Sequence, residues 1–226
     1  MSHRNVETDR IPTSQGDLEI TFFGHGSLLF TFDGKRIYVD PYCRVADYTE
    51  LPKADLILIT HEHGDHLDPE ALDCIRTDAT EIVHTELCKA KIEGGTVMRN
   101  GDINVALGLQ IEAIPAYNLL HKRESGDPFH PCGDGNGYVI TFADLCVLVA
   151  GDTENTPELK ALRDIDVAFL PMNLPYTMTP EMVADVARSI RPRILYPYHF
   201  GSTDTNELVE LLKDESNIEV RIREMA

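Results

Sequence analysis

The sequence predicts a layered α/β sandwich, in which stacked β-sheets are covered on the outside by helices. The chain has 226 residues and is 42% hydrophobic, so it can bury a core of ordinary size. Segments typical of strands outnumber segments typical of helices, and the helices fall between apolar strands. Stacked sheets with outer helices accommodate this order of elements.

The first half of the chain begins with a polar segment and continues mainly as strands. Residues 1–17 are polar and aperiodic, so we expect a loose N-terminal arm ahead of a single domain over residues 18–226. Asp68 and Pro69 are typical of a helix start. The predicted elements are strands at 18–23, 27–32, 36–40 and 54–60, a helix from 69, a strand at 81–84, a helix at 86–92, and strands at 96–98, 103–106 and 109–114.

The second half starts with a long polar loop at 118–136, and a loop of that length inside a compact domain is usually functional or mobile. Proline follows threonine at Thr156 and Thr179, which predicts two helix starts. The remaining predicted elements are strands at 137–142, 145–150, 166–170 and 193–198 and a last helix that includes residues 208–212.

Charge and composition exclude several kinds of partner. Lys+Arg number 20 against Asp+Glu 38, a formal net charge of −18, which disfavours binding to nucleic acid. No segment resembles a membrane span or a signal peptide. The five cysteines form no C-x-x-C pair. We therefore expect a cytoplasmic protein with no membrane partner.

The chemically distinctive segment follows the apolar strand at 54–60. His61, His63, Asp65 and His66 place four ligand-type side chains within six residues. Imidazole and carboxylate groups suit zinc and related first-row cations. Packing these groups at the edge of a core without a cation would be costly, so the sequence predicts a metal site.

Two further donors stand at comparable places in the chain. Asp152 follows the strand at 145–150, and His199 follows the strand at 193–198. Because strand ends converge on one edge of a sheet, we expect both residues to join the histidine cluster. A carboxylate such as Asp152 can bridge two cations. One cation is the minimum interpretation of these donors, and the predicted cofactor is two Zn²⁺ ions, with Mn²⁺ or Fe²⁺ as alternatives.

These segments resemble the signatures of a known family. The sequence THEHGDHLD at 60–68 is similar to the H-x-H-x-D-H signature of the metallo-β-lactamase fold superfamily. The segments at 151–153 and 196–199 resemble its bridging-aspartate and final-histidine motifs. Three more segments, at 23–27, 39–41 and 176–181, resemble the branch of compact metal-dependent hydrolases that includes L-ascorbate-6-phosphate lactonase. The resemblance spans about residues 18–222 and implies a four-layer αββα sandwich.

The resemblance also implies roles for individual residues. One departure concerns the loop after the strand at 109–114, where the family usually supplies another histidine and this chain has Asn118. We prefer His130 as the substitute ligand, then Asn118 as an oxygen donor, then His121. The other implied roles are His61 and His63 on the first metal, Asp65, His66 and His199 on the second, Asp152 between the two metals, and Asp40 orienting a ligand histidine.

The implied activity is hydrolysis by a water that the metals activate, with Asp65 or Asp152 accepting a proton. The expected substrate is a small soluble ester, lactone or phosphodiester. The candidate substrate contacts are His25, Asn118, Asn173 and Tyr176, and a hydrogen-bonded turn is the alternative role of His25.

Two other functions stay open at this point. One is a non-hydrolytic redox member of the same fold, and the other is a degenerate metal-binding protein, which the departure at Asn118 would explain. Members of this branch often associate, so the resemblance also leaves a homo-oligomer open.

Overall fold

In a computed structural model that describes residues 6–226, the chain folds into two seven-stranded β-sheets that pack face to face. In the first sheet, β1 to β4 are antiparallel and β4 to β7 are parallel. Its strands, in spatial order, are β1 (Glu7–Thr13), β2 (Gly16–Gly24), β3 (Ser27–Phe32), β4 (Lys35–Val39), β5 (Leu56–Leu58), β6 (Glu81–His84) and β7 (Thr96–Val97).

The second sheet repeats this pattern, because β8 to β11 are antiparallel and β11 to β14 are parallel. Its strands, again in spatial order, are β8 (Ile103–Ala106), β9 (Leu109–Ala116), β10 (Gly135–Phe142), β11 (Leu145–Val149), β12 (Val167–Pro171), β13 (Ile194–Tyr198) and β14 (Glu219–Val220).

Three apolar clusters hold the layers together. Aromatic side chains from both sheets meet between them, with Phe30 against Phe142 at 5.6 Å between ring centroids. A second cluster joins the outer face of the second sheet to the helices α2 (Pro157–Ala161), α3 (Pro180–Ile190) and α4 (Thr205–Leu212). The third joins the outer face of the first sheet to α1 (Pro69–Ile75) and a 3₁₀ helix (Glu86–Ala90). The predicted four-layer αββα sandwich is confirmed.

The expectation of a loose arm over residues 1–17 is wrong for the part that the structure describes. Glu7–Thr13 form β1, which pairs antiparallel with β2. Asp9 on β1 accepts hydrogen bonds from Tyr196, Arg221 and Arg223. These partners lie about two hundred positions away in the sequence, so the local pattern of the polar segment could not reveal the strand. Residues 1–5 lie outside the described residues.

The helix starts follow the sequence signals closely. The side chain of Asp68 accepts from the N–H of Glu70 at the start of α1, and Thr179 accepts from Met182 at the start of α3. Proline occupies the first turn of each helix. Among residues 6–226, no helix combines the length and apolar character that spanning a bilayer requires.

Candidate metal centre

Strand ends from both sheets bring the predicted donors to one edge of the sandwich. The segment with His61 and His66 follows β5, Asp152 follows β11 and His199 follows β13. Gly151 has a φ of 66°, and a Cβ at this position would lie 2.7 Å from the carbonyl oxygen of Asn136. Glycine is therefore required immediately before Asp152, because a side chain would be strained and would collide with β10.

Asp152 lies at the centre of the cluster. The Nε2 atom of His130 is 3.3 Å from Oδ2 of Asp152, and the Nε2 atom of His199 is 3.5 Å from the same oxygen. His66 Nε2 lies 3.5 Å from Oδ1, and His61 Nε2 lies 3.9 Å from Oδ2. One buried carboxylate therefore faces four imidazole nitrogens.

The donor atoms fall into three groups that could each hold a cation, with all ligand atoms of a group within 4.8 Å of one another. His63 completes the group that contains His61 and His130, although its ring is half-buried. Every predicted metal ligand belongs to at least one group. The groups are His61, His63 and His130; His25, Asp65, His66 and His199; and His61, His66 and Asp152.

The residues fit a metal, because several buried donor atoms in this cluster have no hydrogen-bond partner in the protein. They are Nε2 of His61, His66 and His199, and Oδ1 of Asp152. A buried polar atom without a partner costs about 1–3 kcal/mol, and more when charged. Imidazole nitrogens and carboxylate oxygens that converge without partners are the donor set expected for a first-row cation.

The histidines of the cluster differ in pKa because their surroundings differ. Burial lowers the pKa of His61 well below its usual value, and it lowers the pKa of His199 to about 4. Burial would also lower the pKa of His66, but Asp152 and Asp40 outweigh burial and raise this pKa to about 9. Near pH 7, His61 and His199 are therefore neutral and offer a lone pair, whereas His66 releases a proton when it binds a cation.

Both carboxylates of the cluster stay ionised. Burial opposes ionisation of Asp65, but a hydrogen bond from His25 and the charge of His66 outweigh it, so the pKa of Asp65 lies below its usual value. Burial likewise opposes ionisation of Asp152, but the surrounding histidines, led by His199, hold its pKa well below the usual value. Ionised carboxylates are the form that binds cations.

Asp40 orients His66, as the sequence resemblance implies. It follows β4 with a φ of 45° and is completely buried. Its Oδ2 accepts from His66 Nδ1 at 2.8 Å and from the Thr60 hydroxyl at 2.6 Å, and its Oδ1 accepts from the Thr60 N–H at 2.8 Å. These contacts aim Nε2 of His66 at Asp152.

The long loop brings His130, and not its other two candidate residues, to the cluster. Asn118 lies behind His130, where its Oδ1 is 2.9 Å from His130 Nδ1. His121 is turned away, with its Nδ1 2.7 Å from a carboxylate oxygen of Glu154. Sequence reasoning missed Glu154, since one glutamate two positions after Asp152 carries no local signal.

A cavity of about 440 Å³ opens beside the cluster. The candidate substrate contacts Asn173 and Tyr176 line it, together with Arg123 and Phe129, which sequence reasoning missed. Asn118 is not among the lining residues, because the amide is buried and bonded to His130 and Glu154.

His25 is also absent from the cavity lining. Its Nε2 lies 3.0 Å from Asp65 Oδ2, and its ring centroid lies 3.7 Å from that of His199. It therefore contacts the donor cluster itself.

Known proteins share this architecture. A family model described as a beta-lactamase superfamily domain matches residues 19–199. A UPF0173 metal-dependent hydrolase of Methanopyrus kandleri is 30% identical over 196 residues, which cover 82% of this chain and 85% of the relative. A solved structure from Parabacteroides distasonis, named provisionally as a metal-dependent hydrolase, has a TM-score of 0.93 at 50% identity and covers 98% of this chain and 100% of that one. A metallo hydrolase of Ignicoccus hospitalis has a TM-score of 0.74 at 25% identity and covers 92% and 95% of the two chains.

Proposed function

Because this chain belongs to the β-lactamase superfamily and has the metallo-β-lactamase fold, we propose that it is a metal-dependent hydrolase that uses two zinc ions. The hydrolase class is supported by relatives that carry that name. The observation that carries the proposal is the carboxylate of Asp152, which lies 3.3–3.9 Å from four imidazole nitrogens. A bridging carboxylate among imidazoles is typical of sites that hold two cations.

The donor groups suggest how the ligands divide. When bound, such cations lower the pKa of a water toward neutrality and polarise the carbonyl or phosphoryl oxygen that the water attacks. The proposed ligands are His61, His63 and His130 for one ion, Asp65, His66 and His199 for the other, and Asp152 for both.

Asp65 is the better placed of the two carboxylates to accept a proton during the reaction. Both carboxylates line the cavity, but the side chain of Asp65 is 41% exposed, whereas that of Asp152 is 5% exposed. His25 fixes its orientation through a hydrogen bond of 3.0 Å. A proton acceptor must be within reach of the substrate and correctly oriented, and Asp65 meets both conditions.

The cavity favours a substrate with an anionic group among the three proposed classes. Arg123 is the one lysine or arginine among its lining residues. The guanidinium lies over the Phe129 ring, 5.1 Å from its centroid, and donates to the Phe129 carbonyl oxygen at 3.2 Å. A guanidinium held in this way suits a phosphate or carboxylate group. Tyr176 and Asn173 offer additional hydrogen bonds.

The position of His130 argues against a degenerate site. Asn118 leaves the family's usual histidine position without a ligand nitrogen, but the ring of His130 lies 4.9 Å from the ring of His63 and 5.1 Å from that of His61, measured between centroids. The first donor group is therefore complete without a histidine at position 118.

Elemental analysis of the purified chain, combined with a panel of phosphodiester, lactone and thioester substrates, tests the proposal. We expect two zinc ions per chain and turnover that is lost on chelation and in Asp152→Asn. Asp214→Asn, the same change at an exposed position, should behave as the wild type. Full turnover after chelation, or no turnover on the whole panel, would contradict the hydrolase proposal. Iron with oxygen-dependent turnover would favour the redox alternative.

We also propose that the protein works in the cytoplasm on a dissolved small molecule, without nucleic acid or membrane partners. The net charge of −18 supports the absence of nucleic acid. Light scattering of the purified chain would decide between a monomer and the homo-oligomer that the resemblance leaves open.

A further inference from the structure

Glu154 is a completely buried carboxylate that holds the start of the long loop. Its Oε2 accepts from the backbone N–H groups of Leu119 at 2.7 Å and Leu120 at 2.6 Å. Its Oε1 accepts from the N–H of His121 at 2.8 Å and from the side-chain amide of Asn118 at 3.1 Å. Three backbone N–H groups and one side-chain amide on this buried carboxylate fix the chain at the point where the loop leaves β9, and Nδ1 of His121 lies 2.7 Å from the same Oε1.

The contacts of Asn118 determine which way its amide points. Nδ2 faces Oε1 of Glu154 at 3.1 Å and the carbonyl oxygen of Tyr176 at 2.8 Å, and both of these atoms are acceptors. Oδ1 faces the backbone N–H of His130 at 2.8 Å and its ring Nδ1 at 2.9 Å. In the reverse orientation, the amide NH₂ group would face the backbone N–H of His130. The amide oxygen would face the oxygens of Glu154 and Tyr176.

This orientation requires a particular tautomer of His130. Because Oδ1 of Asn118 can only accept, Nδ1 of His130 must carry a proton, and Nε2 is then the ring nitrogen that can bind a cation. Nε2 lies 3.3 Å from Oδ2 of Asp152. A cation between these two atoms would bind to both of them.

We propose that Glu154 and Asn118 are positioning residues that set the tautomer of His130 and aim its Nε2 into the metal centre. This inference rests on the proposed function, in which His130 is a metal ligand. Glu154 orients the amide of Asn118, the amide holds Nδ1 of His130, and Nε2 is left free for the cation.

The loop needs such a device because His130 is twelve residues beyond Asn118 and most residues between them are exposed. A ligand at the far end of a flexible loop loses affinity to the entropy of ordering the loop. The backbone N–H of Asn118 also donates to the carbonyl oxygen of His130 at 2.9 Å, so the two ends of the loop are joined directly.

Nitrogen NMR of the metal-free, full-length chain labelled with ¹⁵N-histidine tests the tautomer. We expect the proton of His130 on Nδ1 in the wild type and a shift toward Nε2 in Glu154→Gln and Asn118→Leu. Glu124→Gln makes the same chemical change as Glu154→Gln at an exposed position of this loop, and should leave the spectrum unchanged.

Zinc affinity, measured by competition with a chromophoric chelator, provides the second readout. We expect Glu154→Gln and Asn118→Leu to lower the affinity for one of the two zinc ions by about 10–100-fold. This is the usual effect of removing a hydrogen-bond partner of a ligand histidine. The other ion should bind as in the wild type. Glu124→Gln should retain both affinities.

An unchanged tautomer in both Glu154→Gln and Asn118→Leu, with circular dichroism showing them folded, would overturn the inference. If Asn118→Leu does not fold, Glu154→Gln decides whether the inference holds. In that variant only one oxygen becomes an NH₂ group. The tautomer of His130 is measured without metal, so it tests the inference independently of zinc binding. A protein that binds no zinc would refute the proposed function, and the tautomer measurement would still decide the roles of Glu154 and Asn118.

Discussion

Replacing Asp40 by asparagine would measure how strongly the protein prepares His66 for a cation. The change is nearly isosteric, and it removes one of the two carboxylates that hold His66. Burial lowers the pKa of His66, but Asp152 and Asp40 together raise it to about 9. Both side chains of the Asp40–His66 pair are completely buried, and Nδ1 lies 2.8 Å from Oδ2, so solvent screens their interaction weakly. Burial also raises the pKa of Asp40, although its contacts with His66 and Thr60 oppose this rise.

The magnitude follows from the pKa of His66. A rise from 6.5 to about 9 corresponds to about 3 kcal/mol of interaction with the charged imidazole. A group whose pKa is raised by folding stabilises the fold fully below pH 6.5, and this contribution is lost as the pH rises through 9. The metal-free wild type should be more stable than Asp40→Asn at pH 6. We expect this difference in the free energy of unfolding to be about 1–3 kcal/mol larger at pH 6 than at pH 9.5.

Two measurements check this expectation. Urea unfolding of both proteins at pH 6 and pH 9.5 gives the difference in free energy, and NMR titration of ¹³C-labelled histidine gives the pKa of His66 directly. Asp214→Asn, at an exposed position, controls for the loss of one negative charge. A stability difference that does not change with pH, or a pKa of His66 that is still about 9 in Asp40→Asn, would refute the reasoning.

Three further predictions concern the cluster and the fold. Because the pKa of His66 is about 9, zinc affinity should rise with pH between 6 and 9 as the competing proton is lost, and a flat profile in chelator competition would contradict this. Tyr138→Phe should lower the free energy of unfolding by about 1–3 kcal/mol, measured in urea, because the carbonyl oxygen of Ile59 loses its 2.7 Å donor. Asp9→Asn should destabilise by about 2 kcal/mol and speed hydrogen exchange in β1, whereas Asp17→Asn at an exposed position should do neither.

The strands and helices with strong local signals could be predicted well from the sequence. The predicted strands at 27–32 and 81–84 coincide with β3 and β6. The helix starts at Thr156 and Thr179 coincide with the side-chain caps of α2 and α3. A cap or an apolar run is complete within a few residues, so nothing distant is needed to recognise it.

Elements that depend on distant partners escaped prediction. β1 has one buried apolar residue, Ile11, and its stability comes from β2 and from the contacts of Asp9 with the end of the chain. β14 is two residues long and is paired only through β13. Such strands form because an edge of a sheet is available, and a local pattern does not contain that information.

In the candidate site, too, the residues with local signals could be predicted, and those that depend on distant contacts could not. Strand ends led to Asp152 and His199 because both residues follow apolar strands directly, and the structure brings them within 3.5 Å of each other. The choice among His130, Asn118 and His121 depended on how a long loop folds back. That path is set by Glu154, whose four donors come from residues more than thirty positions earlier.

The apolar core and the metal-binding cluster lie in different parts of the fold, so we expect folding to depend little on the metal. The proposed ligands lie beyond the strand ends at one edge of the sandwich, whereas apolar side chains join the layers. Asp40 and Asn118 hold ligand histidines through hydrogen bonds that do not require a cation. The chain should therefore stay folded when metal is removed, unlike small zinc domains whose fold depends on the ion. Metal should instead raise stability by mass action, by about 2.7 kcal/mol at a free concentration one hundred times its dissociation constant.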